Sequence, residues 1–414
     1  MCGSIQPLKI NFIRMKKPTT TALTCIMMIL ILSSCAGNKK TGLNSPLWSV
    51  RMAESEMIRN PSLWMADFVT EKKWNYTQGL MGLAFMRLEE ATGDKRYYEY
   101  AKGYADSLID EYGVIYKYKM DNFNIDQVNP GKMMFLLYDR TGDQRYEKVI
   151  NTLRNQLGSQ PRIAEGGFWH KKIYPDQMWL DGLYMGAPFY AEYALRHDRP
   201  EDFQDVVNQF LIVARNTYDP ATGLYRHAFD ASRRMPWSDS ITGQAPHAWG
   251  RAMGWFSMAI VDVLDFLPEE QAGRDEIISI LQGMTEKLTE IQDPTTGGLY
   301  QVLDRHGDPG NYIETSCTAM FAYAIFKGVR MGYLNGRYLA TAEKAYQGLI
   351  DNFIKTDSSG VVTMTNICGV AGLGGDPYRD GSYEYYIGEV IRENDPKGVG
   401  PFIMASLEQE MISK

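Results

Sequence analysis

Apolar residues recur at helical spacing through most of the chain beyond residue 48. The run Gly79-Leu-Met-Gly-Leu-Ala-Phe-Met-Arg-Leu88 is apolar almost all round. Beyond it Tyr97, Tyr100, Ala101, Tyr104, Ala105 and Leu108 fall on one face of a second helix. Thr92-Gly93-Asp94-Lys95-Arg96-Tyr97 joins the two. Gly93 suits a left-handed helix end, and Asp94 suits an N-cap that accepts an orphan backbone N–H bond. The same junction returns as Thr141-Gly142-Asp143-Gln144-Arg145-Tyr146 and, more loosely, as Leu334-Asn335-Gly336-Arg337-Tyr338.

The longer connections repeat as well. Asp219-Pro-Ala-Thr-Gly-Leu-Tyr225 matches Asp293-Pro-Thr-Thr-Gly-Gly-Leu-Tyr300, with weaker copies at Lys355–Gly360 and Gly166–Trp169. Asp-Pro and Thr-Gly are turn chemistry, and Leu-Tyr opens a short extended piece. The repeating unit is therefore helix, tight turn, helix, decorated loop. At roughly 50–60 residues per unit, about six helix hairpins are expected. Gln177–Pro188 and Ala252–Ile260 read as inner helices, apolar on nearly every face. Six hairpins suit a closed all-α ring, with an open solenoid as the alternative.

The first 40 residues read as an address. Met15-Lys16-Lys17 precedes an apolar run from Ala22 to Leu32, too short to span a bilayer as a helix, which ends in Leu32-Ser33-Ser34-Cys35. That ending resembles a bacterial lipobox. The expected organisation is a lipoprotein signal peptide over 1–34, a lipid-attachment cysteine at Cys35 with a tether over 35–48, and one catalytic domain over 49–414. The protein is then exported and held at a membrane, periplasmic or on the outer membrane, through its N-terminal lipid. A net charge of −7 argues against a nucleic-acid partner. Five scattered His residues show no metal-ligand spacing, and no cofactor motif appears. Of five Cys, only Cys317 and Cys368 lie in the body; they are expected as free thiols in apolar surroundings.

Aromatic residues make up 12% of the chain, which suits sugar faces that stack on rings. Asp181 lies in the apolar run Met178-Trp-Leu-Asp-Gly-Leu-Tyr-Met185. A carboxylate there is costly unless bonded or functional, and an apolar site favours the protonated form that a proton donor needs; a helix cap is the competing reading. Asp126, in Asn124-Ile-Asp-Gln-Val-Asn-Pro-Gly-Lys132, carries the same two readings. If the ring closes, both Asp residues are expected at the starts of successive inner helices, at one mouth. His247-Ala-Trp-Gly-Arg-Ala-Met-Gly-Trp255 offers a stacking plane and a forked cation together. Gly369–Gly375 reads as a loop near the cleft.

Trp179-Leu-Asp181, His247–Trp255 and Asn394-Asp-Pro-Lys-Gly-Val-Gly-Pro-Phe402 together resemble glycoside hydrolase family 105, the unsaturated rhamnogalacturonyl hydrolases. Family 88, the unsaturated glucuronyl hydrolases, shares its (α/α)6 architecture. The resemblance implies an (α/α)6 toroid and a reaction that hydrates the C4=C5 bond left by pectin lyases on a non-reducing galacturonyl residue of rhamnogalacturonan, with no metal or nucleotide. It implies Asp181 as acid/base and Asp126 as the second active-site carboxylate. His227, Trp249, Arg251 and Trp255 are implied sugar contacts, with Trp179, His170 and Tyr76 as further ones. An unsaturated glucuronyl hydrolase, a conventional inverting glycosidase using Asp126 and Asp181, and a non-catalytic glycan-binding lipoprotein are the competing functions.

Overall fold

The computed structural model describes residues 42–413. The signal-peptide reading of residues 1–34 and the lipid-attachment reading of Cys35 lie outside the described residues.

Six helices form an inner ring: α2 (Tyr76–Thr92), α4 (Gly131–Thr141), α6 (Leu180–Arg196), α8 (Gly250–Val263), α10 (Thr315–Arg330) and α13 (Pro396–Ile412). Their outer partners are α3 (Lys95–Asp106), α5 (Gln144–Ser159), α7 (Pro200–Thr217), α9 (Arg274–Ile291), α11 (Leu339–Phe353) and α1 (Trp48–Arg59). A short helix, α12 (Tyr383–Gly388), lies in the last long loop. Each inner helix packs on the next, and α13 packs on both α10 and α2. The ring is therefore closed, and the molecule is an (α/α)6 toroid. The seam joins the two ends of the described chain: Ser49 of α1 donates its hydroxyl to Glu410 of α13 at 2.8 Å.

The layers follow from the residue pattern. Every residue of α8 is buried, because all its faces meet protein. On α3 only one face is buried, and it holds Tyr97, Tyr100, Ala101, Tyr104 and Ala105, the residues the periodicity marked. The junctions take the expected form. Gly93 and Gly142 close their helices at φ 73° and 66°. Asp94 and Asp143 accept the backbone N–H of Arg96 and Arg145 at 3.0 and 2.9 Å. Each such cap contributes about 1 kcal/mol. The third copy is looser: Asn335 caps a 3-10 turn, Gly336–Tyr338, that leads into α11.

The decorated loops make short antiparallel pairs at one mouth of the ring. Gln177–Trp179 pairs with Ala228–Asp230, Trp179 facing Ala228, and Leu180 donates its N–H to the His227 carbonyl at 3.1 Å. This register brings His227 beside the start of α6. Cys317 and Cys368 are free and buried. Their surroundings are more polar than expected, since Cys368 Sγ accepts from Gln301 at 3.2 Å.

Candidate active site

The cleft at this mouth is built on inner-helix starts. Trp179 caps α6 and Asp181 is the second residue of that helix; Trp249 caps α8 and Arg251 is the second residue of that one. Neither side chain at these second positions serves as the cap. Asp126 differs from its expected place. It sits in a 3-10 turn, Ile125–Val128, ahead of α4, so the two Asp residues are not at equivalent helix starts. They nonetheless line one cleft of about 530 Å³, with Tyr76, His170, Trp179, Trp249, Arg251 and Trp255 also in its wall.

Asp181 is 14% exposed, and its Oδ2 faces His227 Nε2 at 3.4 Å. Neither atom has a hydrogen-bond partner among the described residues. On its other side His227 shares a 2.7 Å hydrogen bond between Nδ1 and the Tyr386 hydroxyl. Burial pushes the Tyr386 phenol well above its ordinary value, so it stays neutral. Tyr386, His227 and Asp181 thus form a line from the protein interior to the cleft.

Asp126 is held differently. Lys171 Nζ lies 2.6 Å from one carboxylate oxygen and His170 Nε2 lies 3.3 Å from the other. Burial raises the Asp126 carboxyl, but Lys171 and His170 outweigh it and hold the group well below the ordinary carboxylate range. Burial likewise depresses the Lys171 ammonium, and Asp126 overrides that to raise it. The cleft therefore carries one carboxylate fixed as an anion and a second whose Oδ2 meets only an imidazole.

Aromatic rings shape the walls. His170 stacks on Trp179 at 4.8 Å and 6°, and Tyr174 stacks on Trp179 at 4.9 Å. Trp255 stacks on Tyr184 and meets the Tyr76 edge.

Two of the expected sugar contacts are engaged by the protein itself. His227 is fully buried and absent from the cleft wall; it stands behind Asp181 because the strand register places it there. Arg251 reaches the wall, but its fork is committed inward. Nη2 meets Glu314 at 3.1 Å and the Cys368 carbonyl, Nε donates to Ser316 at 2.7 Å, and Nη1 donates to the Gly369 carbonyl at 3.1 Å. A guanidinium so engaged braces the loop after Cys368.

Lys171, Tyr174, Met185, Arg379 and Lys397 also line the cleft and were not marked in the sequence, while Val370 and Ala371 belong to the Gly-rich loop expected near it. Lys171 was within reach as the neighbour of His170, and Lys397 lies inside the quoted Asn394–Phe402 motif. Lys397 Nζ sits 2.7 Å from Asp395 and 3.3 Å from Asp67. Among the described residues, no three His, Cys, Asp or Glu side chains gather to hold a metal ion.

Comparison with known proteins matches this architecture. The model of Glycosyl Hydrolase Family 88 aligns with residues 48–413. A solved glycoside hydrolase from family 105 of C. acetobutylicum ATCC 824 is 44% identical, with TM-score 0.84 over 88% of this chain and 99% of that one. Protein Atu3128 of Agrobacterium fabrum is 40% identical over 240 residues, 56% of this chain and 100% of that protein. The unsaturated rhamnogalacturonyl hydrolase YesR of Bacillus subtilis is 25% identical over 307 residues, 72% of this chain and 83% of that protein.

Proposed function

We propose, from the premise that this chain belongs to glycosyl hydrolase family 88, that it removes the unsaturated galacturonyl residue from the non-reducing end of lyase-cut rhamnogalacturonan. The chain is a glycoside hydrolase acting on unsaturated oligosaccharides. The choice of galacturonyl on rhamnose draws support from its likeness to YesR, whose name carries that activity.

The observation that carries the reading is the Asp181 carboxyl at the cleft, its Oδ2 facing the His227 imidazole and making no hydrogen bond among the described residues. In the proposed reaction Asp181 gives a proton to C4 of the enol ether. Positive charge develops at C5 and is shared with the ring oxygen. Asp126, fixed as an anion on the same cleft, stabilises that charge. Water adds at C5 and returns a proton to Asp181. The resulting hemiketal opens to a ketone, leaving a hydroxyl on C1 that expels the rhamnose as an aldehyde forms. A conventional inverting pair would ask Asp126 to accept a proton. Its lowered pKa makes it a weak base for that task.

Lyase-cut rhamnogalacturonan tests the proposal. Loss of the ultraviolet absorbance of the double bond together with release of rhamnose-ended product supports it. New reducing ends without loss of absorbance would replace hydration by direct displacement. Loss of absorbance on unsaturated glucuronides alone would move the substrate.

Tyr386→Phe probes the line behind Asp181. Removing the hydroxyl leaves His227 Nδ1 without its buried partner, so the ring loses its fixed tautomer and orientation. We expect kcat to fall about 10-fold with KM nearly unchanged. An unaltered kcat would remove Tyr386 from the mechanism.

The lipid anchor belongs to the same proposal. Cys35→Ser in the full chain is expected to move the protein from the membrane fraction to the soluble one without changing its activity. Continued membrane retention would overturn the anchor.

A further inference from the structure

Four cationic side chains line the cleft: Lys171, Arg251, Arg379 and Lys397. Three are already neutralised. Lys171 pairs with Asp126, Arg251 with Glu314, and Lys397 with Asp395 and Asp67. Arg379 has no carboxylate partner among the described residues. A half-buried cation without a counter-ion is costly unless an anion arrives to meet it.

Its surroundings hold the guanidinium in place. Nε donates to the Gly374 carbonyl at 2.8 Å, and Nη2 donates to the Tyr174 hydroxyl at 2.9 Å and the Leu373 carbonyl at 3.3 Å. Nη1 has no acceptor among the described residues. The Gly-rich loop read from the sequence is the cradle: a Cβ at Gly372 would lie 2.2 Å from Nη1, and one at Gly375 would lie 3.1 Å from Nη2. Gly374 and Gly375 also turn through φ 64° and 85°, where other residues are strained. Tyr174 in turn stacks on Trp179, two residues before Asp181. The guanidinium is thus tied to the same element as the proposed acid.

We propose that Arg379 is the specificity-determining residue that binds the substrate's uronate carboxylate through Nη1, with the loop glycines keeping that approach open. This rests on the reading that the substrate ends in an unsaturated uronic acid. It explains why the cleft tolerates one unpaired cation, and it separates uronides from neutral sugars of similar shape.

The test compares an unsaturated uronyl oligosaccharide with its uronyl methyl ester, which keeps the shape and removes the charge. Binding is measured by calorimetry in the full-length Asp181→Asn protein, so that substrate is not consumed, with and without Arg379→Gln. Arg379→Gln is expected to weaken binding of the acid about 30-fold and to leave the ester nearly unchanged. Arg379→Lys should recover part of the loss, since charge returns without the fork. In otherwise native enzyme, Arg379→Gln should raise KM by a similar factor with kcat within a few-fold. Gly372→Ala, with thermal unfolding as its folding control, should weaken acid binding by crowding Nη1. An acid-over-ester preference that survives Arg379→Gln overturns the assignment. Native enzyme that binds the acid through Arg379 yet leaves the double bond intact overturns the hydration reading and not this one.

Discussion

Asp181→Asn is expected to lower kcat about 10³-fold while substrate binding stays within a few-fold. General acid–base catalysis contributes about 10²–10⁴, and in the proposed reaction one carboxyl serves both the protonation of C4 and the activation of water. The amide is nearly isosteric, so the stacked walls formed by His170, Trp179 and Tyr174 should stay in place. Folding stability should shift by less than about 0.5 kcal/mol, because Asp181 Oδ2 has no hydrogen-bond partner among the described residues to lose. Single-turnover loss of double-bond absorbance separates chemistry from binding, and calorimetric titration with the unsaturated oligosaccharide reads binding directly. A variant keeping more than a tenth of the native kcat would take Asp181 out of the acid/base role.

Lys171→Met is expected to act on stability and chemistry together. It removes the ammonium 2.6 Å from Asp126 and leaves a buried carboxylate with only His170 opposite it. Breaking a buried pair on one side costs about 3 kcal/mol. The pH dependence has a definite sign. The folded-state pKa of Asp126 lies below its unfolded value, so the cluster stabilises the fold above the ordinary Asp value near 4 and loses that contribution as pH falls below it. Without Lys171 the opposing effect of burial dominates, and the acid limb of unfolding should move to higher pH. Pairing the change with Asp126→Asn should recover much of the lost stability, since no unpaired charge then remains. Chemical denaturation at pH 4 to 7 reads both effects. In turnover, Lys171→Met should lower kcat about 10²-fold, because an Asp126 that takes up a proton no longer offers a fixed anion to the C5 cation. A variant as stable as native protein across that range would mean the pair contributes nothing net.

The surroundings of His227 and Arg251 were illegible in the sequence for one reason. The family resemblance marked His227 and Arg251 as sugar contacts, and both are near the chemistry. Which way each side chain faces is set by partners far along the chain. Arg251 is turned inward by Glu314 and by the carbonyls of Cys368 and Gly369. His227 is backed by Tyr386. A single sequence gives no measure of these pairings. Arg379 was overlooked for the complementary reason: its neighbours in sequence are unremarkable, and its significance is the carboxylate it lacks.

The local grammar of the ring was written along the chain. Helix periodicity, the Gly-Asp junctions and the Asp-Pro turns depend on residues within about four positions of one another, and those elements were legible at the predicted places. The position of Asp181 in an inner-helix start was legible too, because an acidic residue in an apolar run stands out without knowledge of its partners. Long-range packing set the rest: α13 seals against α2, Lys171 holds Asp126 as an anion, and three of the four cleft cations are already paired. These outcomes depend on burial and on charges brought together across the chain, and a buried charge takes its state from whatever faces it in space.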